Sequence, residues 1–344
     1  MTRFLLKNTI LLLINFVTVG FAQESSFLTF STTKARPLAM GGAYTAVEDD
    51  IFSASYNPAT LSFYRFDKDY RLTFYLNPIA STAAIHQDYQ AQQNDEASGF
   101  STVDVLKSTA LFVKSIAFTG KYLDMALVFH EQILDENNLF KQKKFFENCD
   151  IWKNSYHSFL TRIKLAERVS LGFSGSLYVN KIDNQTQQDM GFSYGILLKP
   201  STKLNVGLAY VDFPKNIPDI RMVLERMSDE TMNIGVSYRP TSSTLLAFDF
   251  RNLTEDKRKA VREAHFGFEQ NVFSIIALRG GYYKERFSDN HVFSGGIGII
   301  DSNLFFQKQN RFSHSQFLLN YSFVYQKMEN EELNWHVLSL FIRL

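Results

Sequence analysis

Residues 190–212 read MGFSYGILLKPSTKLNVGLAYVD, two alternating runs joined at Lys199-Pro200-Ser201-Thr202. In the first run Met190, Phe192, Tyr194, Ile196 and Leu198 share one face, and Gly191, Ser193, Gly195 and Leu197 take the other. In the second, Leu204, Val206, Leu208 and Tyr210 oppose Asn205, Gly207 and Ala209. Period two is the mark of a strand whose faces meet different surroundings. The same pattern recurs at Met232, Ile234, Val236 and Tyr238, at Phe317, Leu319, Tyr321, Phe323 and Tyr325, and at Leu338, Leu340, Ile342 and Leu344.

A soluble sandwich also alternates, with its apolar face turned inward. Two features favour a membrane barrel. Several runs are about ten residues long, the length a tilted strand needs to cross a bilayer, and longer than the average strand of about six. Connections also alternate in length. Tight turns fall at 119–121, 166–168, 199–202, 240–242 and 270–271, and longer polar links at 77–109, 131–154, 212–229 and 252–262. Short turns at one end and long loops at the other is the layout of an outer-membrane barrel.

The expectation is therefore an all-β fold, a transmembrane antiparallel β-barrel of about fourteen strands. They are placed at 70–77, 110–119, 121–131, 155–166, 168–181, 188–200, 203–212, 230–240, 243–252, 262–270, 273–284, 291–300, 315–326 and 335–344. The connection from Ile300 to Ser315 is longer than its place in the alternation requires. A bilayer leaves no water for an open strand edge, so the sheet is expected to close. Gly172, Ser174, Ser176, Ser294, Gly296 and Gly298 fall on the inward face, together with Asp249, Arg251, Arg279 and Arg343. Small inward residues either leave lumen volume for a plug, ligand or partner segment, or relieve barrel curvature.

Composition agrees with strands. Aromatic residues make up 15% of the 344, with 33 Phe and 16 Tyr against 2 Trp, a load that suits strands and membrane interfaces. The 36 Lys and Arg nearly balance 35 Asp and Glu, which leaves no electrostatic footprint for nucleic acid. The single Cys149 rules out an internal disulfide framework.

Residues 1–22 read as an export signal. Arg3 and Lys7 precede an apolar run from Ile10 to Val19, and Gly20-Phe21-Ala22 supplies small residues for cleavage before Gln23. The run is short for a membrane helix, which needs about 20 apolar residues. Export followed by insertion into the outer membrane is expected.

Residues 23–66 are the least barrel-like. They contain Ala35-Arg36-Pro37, then Met40-Gly41-Gly42-Ala43-Tyr44, then Asp49-Asp50, and Tyr56-Asn57-Pro58-Ala59-Thr60-Leu61. Gly41-Gly42 marks a tight turn or close backbone approach. Asp49 or Asp50 is placed to cap a short helix over Ile51 to Tyr56, stopped by the restriction Pro58 puts on Asn57. Such a segment has no place in a barrel wall and suits a plug or hatch, with residues 67–344 forming the barrel.

Here the chain resembles the PorV/PorQ group of outer-membrane proteins, relatives of the FadL-type fatty-acid transporters. Ala35-Arg36, Met40-Gly41-Gly42-Ala43, Ala46, Asp49-Asp50, Ala54 and Tyr56-Asn57-Pro58-Ala59-Leu61 carry the likeness over about thirty residues. The resemblance implies that Asn57, Pro58 and Ala59 belong to a hatch inside the barrel. It makes Gly41, Gly42, Asp49, Asp50 and Tyr56 the remaining plug or binding candidates. It implies a role in type IX secretion or surface attachment of exported proteins, or FadL-like transport of hydrophobic small molecules. The partners that go with those roles are outer-membrane lipid or lipopolysaccharide, secretion-system proteins or cargo, and a hydrophobic ligand.

Enzymatic motifs do not stand. Gly191-Phe192-Ser193-Tyr194-Gly195 matches a nucleophile elbow, but that chemistry needs a strand-to-helix turn and these residues continue a strand. Gly295-Gly296-Ile297-Gly298 opens no helix. The seven histidines lack metal spacing, and Asp49-Asp50 fall short of calcium's six to eight oxygens. No enzyme activity, metal or cofactor is expected. Residues 140–146 form a basic, aromatic loop, read either as a solvated tip or as a contact for lipopolysaccharide or protein. Residues 221–227 have amphipathic helical character.

Overall fold

A computed structural model describes residues 26–30, 33–49, 51, 56–62, 70–78, 112–132, 140–141, 155–182, 185–212, 230–253, 262–272, 275–285, 290–301, 317–327, 332–340 and 342–343. The alternating runs form one antiparallel sheet, each strand bonded to the next in sequence. In chain order the strands are β1 (Ser26–Phe30), β2 (Tyr70–Leu76), β3 (Val113–Gly120), β4 (Leu123–Gln132), β5 (Phe140–Lys141), β6 (Ser155–Ala166), β7 (Val169–Ile182), β8 (Gln185–Leu198) and β9 (Leu204–Asp212). After these come β10 (Glu230–Tyr238), β11 (Thr244–Arg251), β12 (Glu263–Val272), β13 (Ile276–Lys284), β14 (His291–Asp301), β15 (Phe317–Lys327), β16 (Glu332–Leu340) and β17 (Ile342–Arg343), the last continuing β16 beyond a single residue.

Without β1, β5 and the β17 continuation, fourteen strands remain, each at the place its alternation assigns. Boundaries move by a few residues. The β7–β8 hairpin has two fourteen-residue strands, with β8 starting at Gln185 instead of residue 188 and pairing carried out to Ile182–Gln185. Two short strands went unread. β1 runs parallel to β16 from Ser26–Asn334 to Phe30–Leu338, and β5 pairs antiparallel with β1 through Phe27–Lys141 and Leu28–Phe140. Neither alternates long enough to be distinguished from a loop, and both take their hydrogen bonds from partners far along the chain. Residues 302–316, which hold most of the long β14–β15 link, the 221–227 stretch, the 142–146 part of the basic loop, and 1–22 all lie outside the described residues.

The two ends of the sheet meet through β17 and β2, in two pairs among the described residues, Ile342–Leu76 and Arg343–Tyr75. Higher on the same seam the edge of β16 is held by β1 instead of β2. The opposite wall is far more continuous, with nine pairs between β9 and β10 alone.

Polarity runs opposite to that of a soluble sheet protein. On β11 and β12 the outward residues Leu246, Phe248, Phe250, Phe266 and Phe268 are exposed, Phe266 at 50%. Between them Asp249, Arg251, Glu263, His265 and Glu269 point inward and are buried, Asp249 at 1%. Met190, Tyr194, Ile196 and Leu198 are likewise exposed, as their spacing predicts. The inward placement of Asp249, Arg251 and Arg279 agrees with the reading of the sequence, while the side chain of Arg343 is not among those described.

The described part of this junction holds two pairs against nine between β9 and β10, and local opening follows the weakest local pairing. Amide exchange in detergent micelles should therefore release Tyr75, Leu76 and Ile342 at least tenfold faster than Asn205 to Ala209. Equal protection at both places would show the seam to be as firm as the rest of the wall.

Candidate functional site: an N-terminal hatch bound to the wall

Inside the ring, residues 33–49, 51 and 56–62 form a compact insert. Helix α1 (Ala35–Ala39) packs against β13, β14, β15 and β16, while the 3₁₀ turn η1 (Pro58–Thr60) lies across the lumen against β6, β7, β8 and β9. Pro37 fits α1 because the first-turn N–H groups of a helix have no partner within it. The helix ends in a left-handed pair, Gly41 at φ 62° and Gly42 at φ 70°. Their N–H groups return to the Leu38 and Pro37 carbonyls at 3.0 and 2.9 Å, closing the turn that Gly41-Gly42 predicts.

The expected helix over Ile51 to Tyr56, capped by Asp49 or Asp50, is not how Asp49 is used. Residues 50 and 52–55 lie outside the described residues, so the candidate Asp50 has no described place. Asp49 bridges in parallel to Leu61 through its backbone, and its carboxylate accepts from Arg36 Nη1 and Tyr44 Oη, both at 2.6 Å. A carboxylate that meets a buried guanidinium gains more than one neutral cap bond supplies. Capping falls to Asn57. Its backbone is extended (φ −153°, ψ 108°), as a residue before proline requires, and its Oδ1 accepts from Ala59 N at 3.0 Å. Its Nδ2 donates to the Thr45 carbonyl at 2.8 Å, tying the two halves of the hatch together. Tyr56 is buried, with the Arg251 guanidinium carbon 5.1 Å from its ring centroid and the Tyr44 ring at 5.4 Å.

Glu269 on β12 holds this insert to the wall. Its two oxygens take a bidentate pair from Arg36, Nε at 2.8 Å and Nη2 at 2.6 Å, and Oε2 also accepts from Arg279 Nε on β13 at 2.7 Å. Arg279 in turn donates to Asn320 on β15 at 2.9 Å. Burial opposes the Arg36 charge, but Asp49 and Glu269 outweigh it and lift its pKa above the usual arginine value. Burial also holds the Tyr44 phenol well above its ordinary range, so it stays the proton donor to Asp49.

Further anchors are spaced round the ring. Asp249 Oδ2 accepts from Tyr44 N, Thr45 N and Thr45 Oγ1 at 2.7–2.8 Å. Arg251 Nη2 donates to the Gly42 carbonyl, and His265 Nδ1 meets the Gly41 carbonyl at 2.6 Å. Ser237 donates to Ala46 O at 2.8 Å and Arg162 to Leu61 O at 2.7 Å, while Glu48 is paired by Arg162 and Lys199. The hatch backbone, which has no sheet of its own, is satisfied by side chains of the wall.

The small inward residues now have a cause. A Cβ on Gly267 would lie 2.6 Å from the Met40 carbonyl oxygen, and one on Gly296 2.5 Å from the Ala39 side chain. Side chains at Gly172 and Gly195 would collide with residues 57–59, at Gly207 and Gly235 with residues 45–46, and at Gly281 with Gly41. Register sets these positions beside one another: Gly172 faces Gly195, Gly207 faces Gly235, and Ala247, Gly267, Gly281 and Ser294 come next in order round the ring. Of the two readings left open by the sequence, room for a plug is the one the contacts favour. The elbow-like Gly191 to Gly195 run sits inside β8, with Gly195 pressed against Asn57.

No family model and no curated protein matches the sequence. Among solved structures, a triple mutant of Rhodopseudomonas blastica porin aligns over 67% of this chain and 75% of its own at 8% identity, with a TM-score of 0.35. A five-residue mutant of the same porin aligns over the same shares at 8% identity and 0.36. Similarity of this size carries no argument, and the barrel reading rests on the chain's own strand pairing.

Sequence reasoning reached the hatch candidates Gly41, Gly42, Asp49, Tyr56, Asn57, Pro58 and Ala59, all of which come together here. It placed Asp249, Arg251 and Arg279 inside without a role, and missed Glu269, His265 and Arg162. The available signal for Glu269 was its place directly after Phe268, out of phase with outward Phe266 and Phe268, which puts a carboxylate on the inner face. Removing that carboxylate leaves two guanidinium groups without it, a loss of about 3–5 kcal/mol for a buried charge pair. Glu269→Ala should accordingly leave the barrel folded but loosen the hatch, and a cysteine introduced at Ala59 should become reactive toward a water-soluble maleimide. A cysteine that stays protected in the variant would show that Glu269 does not hold the insert.

Proposed function

We propose that this chain is an outer-membrane β-barrel of PorV/PorQ type, exported by its N-terminal signal. It works with its lumen occupied by its own N-terminal segment and supports type IX secretion or surface attachment of exported proteins. The membrane location is supported by the exposed band of Phe, Leu, Ile and Tyr around a polar, buried interior, an order that is favourable in hydrocarbon and unfavourable in water. Lipid, including lipopolysaccharide, is then the surrounding partner. The observation that carries the functional choice is the anchoring of the hatch on opposite walls at once, by Arg162 on β6 at Leu61 and by Glu269 on β12 at Arg36. A segment bound by buried ion pairs to several strands resists displacement, and a barrel so occupied serves better as a scaffold for other proteins than as a passage.

A second reading, FadL-like transport of hydrophobic molecules, draws on the apolar cluster of Leu38 with Val292, Val324, Trp335 and Val337 on the inner wall beside α1. Cross-linking in native membranes followed by affinity capture and mass spectrometry separates the two. Recovery of secretion components or exported proteins is the expected result. Recovery of the barrel alone, carrying hydrophobic small molecules, would replace the first reading by the second.

The membrane location has its own test. A lysine in place of Phe268, on the exposed face near mid-strand, should cost about 2–4 kcal/mol if that face lies at the bilayer midplane. Refolding titrations into phospholipid vesicles should show that loss. A neutral effect, with the protein monodisperse in buffer free of detergent, would place the band in water.

A further inference from the structure

Two wall glycines are explained neither by the hatch nor by a neighbouring side chain. Gly280 on β13 and Gly295 on β14 face each other across the ladder and point outward, between exposed Leu278 and Phe293. A Cβ on Gly280 would meet nothing within 4 Å, and one on Gly295 would come no nearer than 3.7 Å to the Arg279 carbonyl oxygen. Neither has the positive φ that requires glycine, which among the described glycines is confined to Gly41 and Gly42 of the hatch. Gly175 is different: it too faces outward, but the rings of Phe192 and Phe173 lie against the place its side chain would take. Glycine weakens a strand interior, and its usual reasons there are a bulge, a bend or the close approach of another molecule. The β13–β14 ladder is regular through both positions, which removes the bulge.

The missing side chain of Gly280 opens onto a groove on the outer face of about 570 Å³. It runs across β10 to β13 between Tyr238, Leu246, Phe248, Phe266, Phe268 and Tyr282. Phe248 and Phe266 meet along it at 4.9 Å with their rings tilted by 56°, and Tyr282 is steadied at one end by a 2.8 Å hydrogen bond to His291. No charged residue lines it. Its lining of eleven residues is well below the twenty to thirty a stable protein interface uses on each side. An extended, flexible apolar chain fits such a slot, because dispersion contacts accumulate along its length without polar groups being asked to match.

We infer that this groove is a binding site for a single acyl chain of a membrane lipid, seated over Gly280 against the aromatic ladder of β11 to β13. The inference rests on the membrane reading above, since only there is such a chain the neighbour of this face. It adds that the outer surface is not uniform toward lipid: one sector retains a chain while the others exchange theirs.

The test uses the full-length barrel in vesicles of phosphatidylethanolamine containing a small fraction of the same lipid with a diazirine on one acyl chain. After photolysis, peptides carrying Phe266, Phe268 and Tyr282 should be labelled at least threefold more than those carrying Met190, Tyr194 and Ile196, which are equally exposed on another sector. Gly280→Leu should fill the slot and bring the ratio to about one, and the smaller Gly280→Val serves the same purpose where the first variant does not insert. Uniform labelling of both sectors in the parent protein, or an excess that survives the Gly280 variants, would overturn the lipid site. So would cross-linked dimers joined through this groove, which would give it to a second copy of the chain. A protein labelled in neither sector and recovered outside the vesicles would instead reject the membrane reading itself.

Discussion

A carboxylate enclosed by a ring of strands is stable only with cations brought to it, and Glu269 receives two from different parts of the chain. Arg279 is its neighbour across the ladder, and Arg36 arrives from the hatch, 233 residues away in sequence. The hatch depends on that shared charge. With Arg36 fixed to Glu269 and Asp49, α1 is set against β13 to β16, Gly41 and Gly42 turn the chain back along β11 and β12, and Asn57 delivers η1 to the far wall. Each later anchor, at Asp249, His265, Ser237 and Arg162, receives backbone that this first contact has already positioned.

The wall adapts to the hatch more than the reverse. Its glycines are spent on contact, in register from strand to strand, where any side chain would strike the insert. Strand stability is lost at each such position, and the hydrogen bonds and ion pairs that close approach permits offset it. The charged inner face obeys the same logic, because Asp249, Arg251 and Glu269 complete the hydrogen bonding of a segment that forms no sheet itself. A ring built this way has an interior specified by its plug, and the hatch and barrel are expected to be inherited as a unit.

Much of the fold was legible along the chain. Fourteen alternating runs appeared in order because side-chain period in a strand is local: Phe248 and Phe250 face away from Asp249 whatever the rest of the protein does. The hatch was legible by contrast, as a stretch that breaks period two around Gly41-Gly42 and Asn57-Pro58. Asp49 takes a different role from the expected cap, for a physical reason. A capping residue is recognised by the residues C-terminal to it, whereas Asp49 is claimed by Arg36 and Tyr44, groups that precede it and reach it only in the folded insert. β1 and β5 were missed because two to five residues carry too little pattern and their partners are remote.

The sequence by itself determined the fourteen antiparallel strands, their two faces, and that the stretch from Gly41-Gly42 to Asn57-Pro58 breaks the strand pattern, because these depend on backbone geometry and side-chain polarity a few residues apart. The tertiary structure alone decided which inward charge meets which hatch group, that β17 meets β2, and that Gly267 and Gly281 admit a backbone while Gly280 opens to the outside. Those outcomes depend on register between strands and on the level at which the insert crosses the ring. Both are set by the closure of the whole sheet, and no short stretch of chain contains them.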